Sequence, residues 1–118
     1  MALNPLLQPS PQLKFAEIQL QMSHKKLKIP EVEKELWVEN RLGLHARPAA
    51  QVVRLAQKFE GDIFLEKDGS RANARDLLAI LALGCSQGTR LVLRASGPQA
   101  QEAATALFSL FASKFGEK

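Results

Sequence analysis

At 118 residues the chain is long enough for one small domain plus a tail, and 46% hydrophobic against 24% charged residues is the balance of a globular protein. The formal net charge of +4 lies mostly in residues 1–30, where four lysines (14, 25, 26 and 28) face the single acid Glu17; residues 31–118 hold 12 basic and 11 acidic groups, which argues against a nucleic-acid binder. No apolar run approaches the roughly 20 residues of a membrane span, the opening MALNPLLQPSPQLKF lacks the features of a secretion signal, and the lone Cys85 excludes an internal disulfide or a cysteine metal cluster, so a reducing, cytoplasmic setting is expected.

Residues 1–33 read as an extension and linker. Four of the six prolines fall there, at 5, 9, 11 and 30. Inside it EIQLQM alternates strictly, with Ile18, Leu20 and Met22 apolar, so residues 16–22 are expected to form an added strand beside the first strand of the domain. SHKKLKIP follows as a solvated connector, with His24 an exposed bystander. EKELWVEN reads as the first strand of a domain at 34–118, Leu36 and Val38 pointing one way and Trp37 the other. Ala49, Val52, Ala56 and Phe59 then recur on one helix face; Pro48 suits the first turn and Gly61 ends the helix. DIFLEK is a second strand and Asp68-Gly69 a hairpin marker before a short third strand, RANA. Asp76 is placed to cap a short helix, DLLAILALG, stopped by Gly84. TRLVLRAS is a fourth strand, and a long amphipathic helix follows Gly97 and Pro98. The order β-α-β-β-α-β-α gives an α+β fold: an open-faced sandwich with helices on one face of an antiparallel sheet.

The chemistry concentrates in GLHARPAA. A helix start offers N–H groups without intrahelical partners and the positive end of the helix dipole, which together favour an anion. His45 stands at that start as a nucleophile able to form a covalent intermediate. Arg47 can present a planar fork to phosphate oxygens, and Gly43 lets the backbone approach closely. The residues alone leave two readings open: a phosphoryl-accepting histidine, or a histidine serving only as a helix cap.

The same stretch, together with the Asp-Gly hairpin, the second short helix and LALGCSQGTRLVL, resembles the HPr family of histidine phosphocarriers of the bacterial phosphotransferase system. NRLGLHARPA and the final helix are most similar to its nitrogen-branch members, NPr. The resemblance implies a four-stranded sheet in the order 1-4-2-3 with three helices on one face. It implies that His45 takes a phosphoryl group on Nδ1 from phospho-enzyme I and passes it to an EIIA-type protein, with Arg47 neutralising its charge, for sugar uptake or regulation. Such a protein is a carrier more than a stand-alone enzyme, and is expected to be a monomer with no cofactor, metal, membrane or nucleic-acid partner. Carried over by position, partners would dock on Leu44, Ala46, Ala50, Leu77, Leu78 and Ala82. Where many members open the second short helix with a kinase-regulated serine, this chain has Asp76, so that phosphosite is absent and the residue is either a plain cap or a fixed negative charge.

In the expected sheet, Trp37, Val92 and Phe64 point outward on neighbouring strands and would form one apolar row, which either the alternating segment of the extension or a dimer or other partner surface is expected to shield. A second class of function is a small α+β module that binds RNA or a regulatory protein without phosphoryl transfer. The chain carries no aromatic-basic signature of RNA binding, and a purely structural role leaves the Gly-His-Arg-Pro constellation unexplained.

Overall fold

The structure is a computed structural model, and it describes residues 31–118. The elements are β1 (Glu31–Trp37), α1 (Ala46–Ala56), β2 (Ile63–Lys67), β3 (Ser70–Asn73), α2 (Leu77–Ala82), β4 (Arg90–Ser96), α3 (Ala100–Ala112) and a closing 3-10 turn, Lys114–Gly116. The strands form one antiparallel sheet in the order β1-β4-β2-β3. Period-two alternation puts Leu36, Ile63, Leu65, Leu91, Leu93 and Ala95 on the inner face, where all are buried. The helices close over them with Ala49, Val52 and Ala56 from α1, Ile80 from α2, and Leu107 and Phe111 from α3.

Asp68 and Gly69 turn the β2–β3 hairpin at φ +47° and +84°, the pair of positive dihedrals that an Asp-Gly turn supplies. α1 stops at Ala56, so Phe59 packs half-buried on the core from the following turn rather than from the helix. Gly61 does not end α1. It sits where a Cβ would come within 1.8 Å of the Ser96 carbonyl oxygen, and so lets the start of β2 lie against the end of β4.

The outer face of the sheet corrects one expectation. Trp37 is paired with Arg90, Val92 lies between Glu35 and Glu66, and Phe64 lies between Arg94 and Asn73. The stagger between strands therefore separates the three apolar side chains. Charges fill the intervals: Arg94 bridges Glu33 at 2.8 Å and Glu66 at 3.0 Å, Arg90 Nε reaches Glu35 at 2.7 Å, and the Arg71 guanidinium stacks 3.6 Å from the centre of the Phe64 ring. Among the described residues the outer face carries no continuous apolar row. The expected strand at 16–22 lies outside the described residues; among the described residues β1, beside which it was placed, is an edge strand of the sheet.

Candidate functional site

His45 is the residue immediately before α1. Its backbone is extended (φ −81°, ψ −170°), and its carbonyl accepts the first helical bond from Ala49 N at 2.9 Å, but its side chain makes no capping bond. The ring is therefore not a helix cap. Ala46 and Arg47 open the helix with N–H groups that have no intrahelical acceptor, and Pro48 has none to leave unpaired.

The loop before His45 is tightly bonded. Asn40 is fully buried; its side-chain Nδ2 donates to Gly43 O at 2.7 Å, and its backbone carbonyl accepts from Gly43 N at 3.1 Å. Leu44 N donates to Cys85 O at 2.8 Å. Gly43 has φ +74°, and a Cβ on it would stand 2.5 Å from the Cys85 carbonyl oxygen. The missing side chain thus admits the Cys85–Ser86 backbone, where the sequence pointed to approach by a ligand. Burial pushes the Cys85 thiol up, with Lys67 opposing in part, which makes it a poor nucleophile.

The remaining part of the site comes from the other end of the domain. After α3, Lys114 and Phe115 turn the chain at φ +57° and +58°, and buried Phe115 packs edge-on against Phe111 with ring centres 4.8 Å apart. Gln51 of α1 donates to the Phe115 carbonyl at 3.3 Å, and Arg41 N donates to the Lys118 carbonyl at 2.6 Å. Glu117 is thereby laid over the start of α1. Its two carboxylate oxygens lie 3.1 and 3.0 Å from His45 Nε2; Oε1 accepts from Asn40 Nδ2 at 3.0 Å and Oε2 from Arg47 Nη1 at 3.3 Å. The Glu117 side chain is only 11% exposed, against 36% for His45. The His45 hydrogen bond, with smaller help from Asn40 and the positive charge of Arg47, holds the Glu117 carboxyl below the usual carboxylate range, although partial burial opposes this. Arg41, Leu42, His45, Arg47, Glu117 and Lys118 line one open cleft of about 350 Å³.

His45 and Arg47 thus meet in a single cleft. Among the expected docking residues, Ala46, Leu77, Leu78 and Ala82 are exposed and Ala50 is half-buried. Leu44 is a correction: at 4% exposure it belongs to the core, because the loop turns it inward while its N–H bonds Cys85. The exposed apolar side chain beside His45 is instead Leu42, 68% exposed, and Leu78 on α2 is 75% exposed. Asp76 caps α2, its Oδ1 accepting from Ala79 N at 3.1 Å. Glu117, Asn40 and Leu42 were not legible as site residues. Asn40 carried a faint signal, as an amide-bearing residue entering a glycine turn; Glu117, 72 residues beyond His45, carried none.

A family model described as the PTS HPr component phosphorylation site matches residues 32–113. The chain belongs to the HPr family. Phosphocarrier protein NPr of Escherichia coli (strain K12) is 38% identical over 87 residues, which cover 73% of this chain and 97% of that one. Phosphocarrier protein HPr of Treponema pallidum (strain Nichols) is 39% identical, covering 74% and 99%. Among solved structures, HPr-C-His from Thermoanaerobacter tengcongensis superimposes with a TM-score of 0.71 at 45% identity, covering 74% of this chain and 98% of that one. An HPr dimer from the same organism gives 0.60 at 48% identity, covering 68% and 92%. The order β1-β4-β2-β3 with three helices is the HPr fold. The HPr model match stops at 113, short of Glu117.

Proposed function

We propose that this HPr-family chain carries a phosphoryl group on His45, accepting it from phospho-enzyme I and delivering it to an EIIA-type protein. The observation that carries this reading is the placement of a half-exposed imidazole at the start of α1, free of any capping bond and sharing its cleft with the Arg47 guanidinium. The Nδ1 lone pair attacks phosphorus; the donor's P–N bond breaks and its electron pair returns to the donor nitrogen. Transfer of this kind depends mainly on positioning and charge stabilisation. The free N–H groups of Ala46 and Arg47 and the Arg47 side chain offer positive charge to the incoming oxygens.

Partners dock on exposed Leu42, Leu77 and Leu78 with Ala46 and Ala82 around them. The protein works as a monomer in the cytoplasm. At Asp76 a serine-directed kinase finds no hydroxyl. The test is incubation with phosphoenolpyruvate and enzyme I. Acid-labile phosphate on the parent protein and none on His45→Ala is the expected result; label retained by His45→Ala overturns the assignment.

A further inference from the structure

We propose that the edge of β1, with the apolar groove on its helix side, is the docking site of the chain's own segment 16–22, which adds a fifth strand to the sheet. The inference is independent of the phosphocarrier reading and uses none of the cleft residues.

Among the described residues β1 is an edge strand, so half of its backbone groups face away from β4. Val38 N donates to Thr89 O at 2.9 Å, on the β4 side. Alternation along an antiparallel strand then turns the N–H and C=O groups of Glu33, Glu35 and Trp37 to the open edge. Beside that edge Leu36, Trp37, Phe108, Phe111 and Ala112 line a groove of about 90 Å³, with Glu39 the one charged residue in its wall. Trp37 is 42% exposed and Phe108 39%. Lys34 extends from β1 over the same surface, its Nζ 4.6 Å from the centre of the Phe108 ring.

The place where the chain enters selects the occupant. Residue 30 adjoins Glu31, the first residue of β1, so only residues 23–30 separate the alternating segment from this edge. Such a connector reaches at most about 29 Å, and neighbouring strands lie about 4.8 Å apart. An antiparallel return is therefore easily made, and the tether gives the segment an effective concentration of order millimolar, which a second copy of the chain does not match. Charge agrees. Residues 1–30 hold four lysines against Glu17, whereas β1 holds Glu31, Glu33 and Glu35 against Lys34.

The alternation also selects a register, because a slip of one residue moves every side chain to the other face. With Ile18, Leu20 and Met22 opposite Glu35, Glu33 and Glu31, the apolar side chains would lie among carboxylates, two of them already paired with Arg90 and Arg94. Shifted by one, they stand opposite Leu36, Lys34 and Val32 on the helix side. Ile18 then meets the groove, and Leu20 covers the Lys34 stem and Phe108. Gln19 and Gln21 fall opposite Glu35 and Glu33 and pair with their edge N–H and C=O groups.

The experiment uses the full chain labelled with nitrogen-15, as the parent, the double variant Ile18→Asp/Leu20→Asp and the outer-face control Gln19→Ala/Gln21→Ala, each at two protein concentrations. In the parent the Glu33 and Glu35 N–H groups should exchange at least about tenfold more slowly than their intrinsic rates, a modest protection on the scale of local opening. The α-protons of Leu20 and Lys34 should show a cross-strand contact, since residues opposite each other without mutual hydrogen bonds bring their Cα atoms to about 4.5 Å. The aspartate variant should lose the contact and the protection and shift Trp37 emission to the red, while β4 amides stay protected; the control should keep all three. Glu33 and Glu35 amides that exchange at intrinsic rates in the parent, or keep their protection in the aspartate variant, overturn the proposal. So does protection that falls on dilution, which would put a second copy on the edge, and so does a contact of Leu20 with Glu33 in place of Lys34.

Discussion

At the scale of single residues, the site separates groups that hold the fold from groups that act. The core face of α1 consists of Ala49, Val52 and Ala56, with His45 outside it. His45→Ala is therefore expected to leave thermal unfolding near the parent value while eliminating acid-labile phosphate. Arg47→Ala removes the guanidinium proposed to meet the phosphoryl oxygens but not the helix N–H groups. A slowing of about 10- to 100-fold in single-turnover labelling is expected, the equivalent of a hydrogen bond to a charged group. Asp76→Ala deletes the Oδ1–Ala79 bond and should cost about 1 kcal/mol in a denaturant titration. Glu117 adds a pH dependence. Its carboxyl is held below the range of the unfolded chain, so its stabilising effect on the tail is complete above that range and is lost as pH falls through the depressed folded value. The protection factor of the Arg41 N–H, which bonds Lys118, measured against the intrinsic exchange rate at each pH, should be at its full value near neutrality and fall on acidification below the ordinary carboxylate range.

At the scale of elements, what could be read in advance followed from local rules. The Asp-Gly hairpin, the Asp76 cap and the strict alternation of β4 are each set by a few adjacent residues, and each stands where those residues place it. Registers between strands are not local. The outward apolar row failed because pairing Val92 with Glu35 and Glu66 shifts Trp37 and Phe64 away from it, and nothing within one strand encodes that stagger. Gly43 shows a similar limit: its freedom was legible, the Cys85–Ser86 backbone that needs it was not. Gly43→Ala forces an L-residue to φ +74° with its Cβ 2.5 Å from a carbonyl oxygen. A loss of roughly 1–3 kcal/mol is expected from the dihedral alone, with phosphoryl acceptance reduced because Leu44 and His45 hang from this turn. Calorimetry and labelling of the same sample check both.

For the whole molecule, the described residues divide their charge by face. The outer sheet surface carries paired ions, Glu33 and Glu66 with Arg94 and Glu35 with Arg90. Arg41, Arg47 and Lys118 line the cleft against the single acid Glu117, and α2 carries no charge beyond its cap Asp76. An incoming protein therefore meets positive charge around exposed leucines, and the rate of phosphoryl transfer from phospho-enzyme I at limiting concentrations should fall as salt rises. A rate independent of ionic strength would remove charge steering from the account.

The 72 residues between His45 and Glu117 also have a consequence in time. Translation at 5–20 residues per second separates the synthesis of the two by roughly 4–14 s. The imidazole of a nascent chain is thus made well before the carboxylate that contacts it exists. The carboxylate contact to the ring is acquired late, with the final turn of the backbone, and a ribosome halted between those codons would display His45 without Glu117.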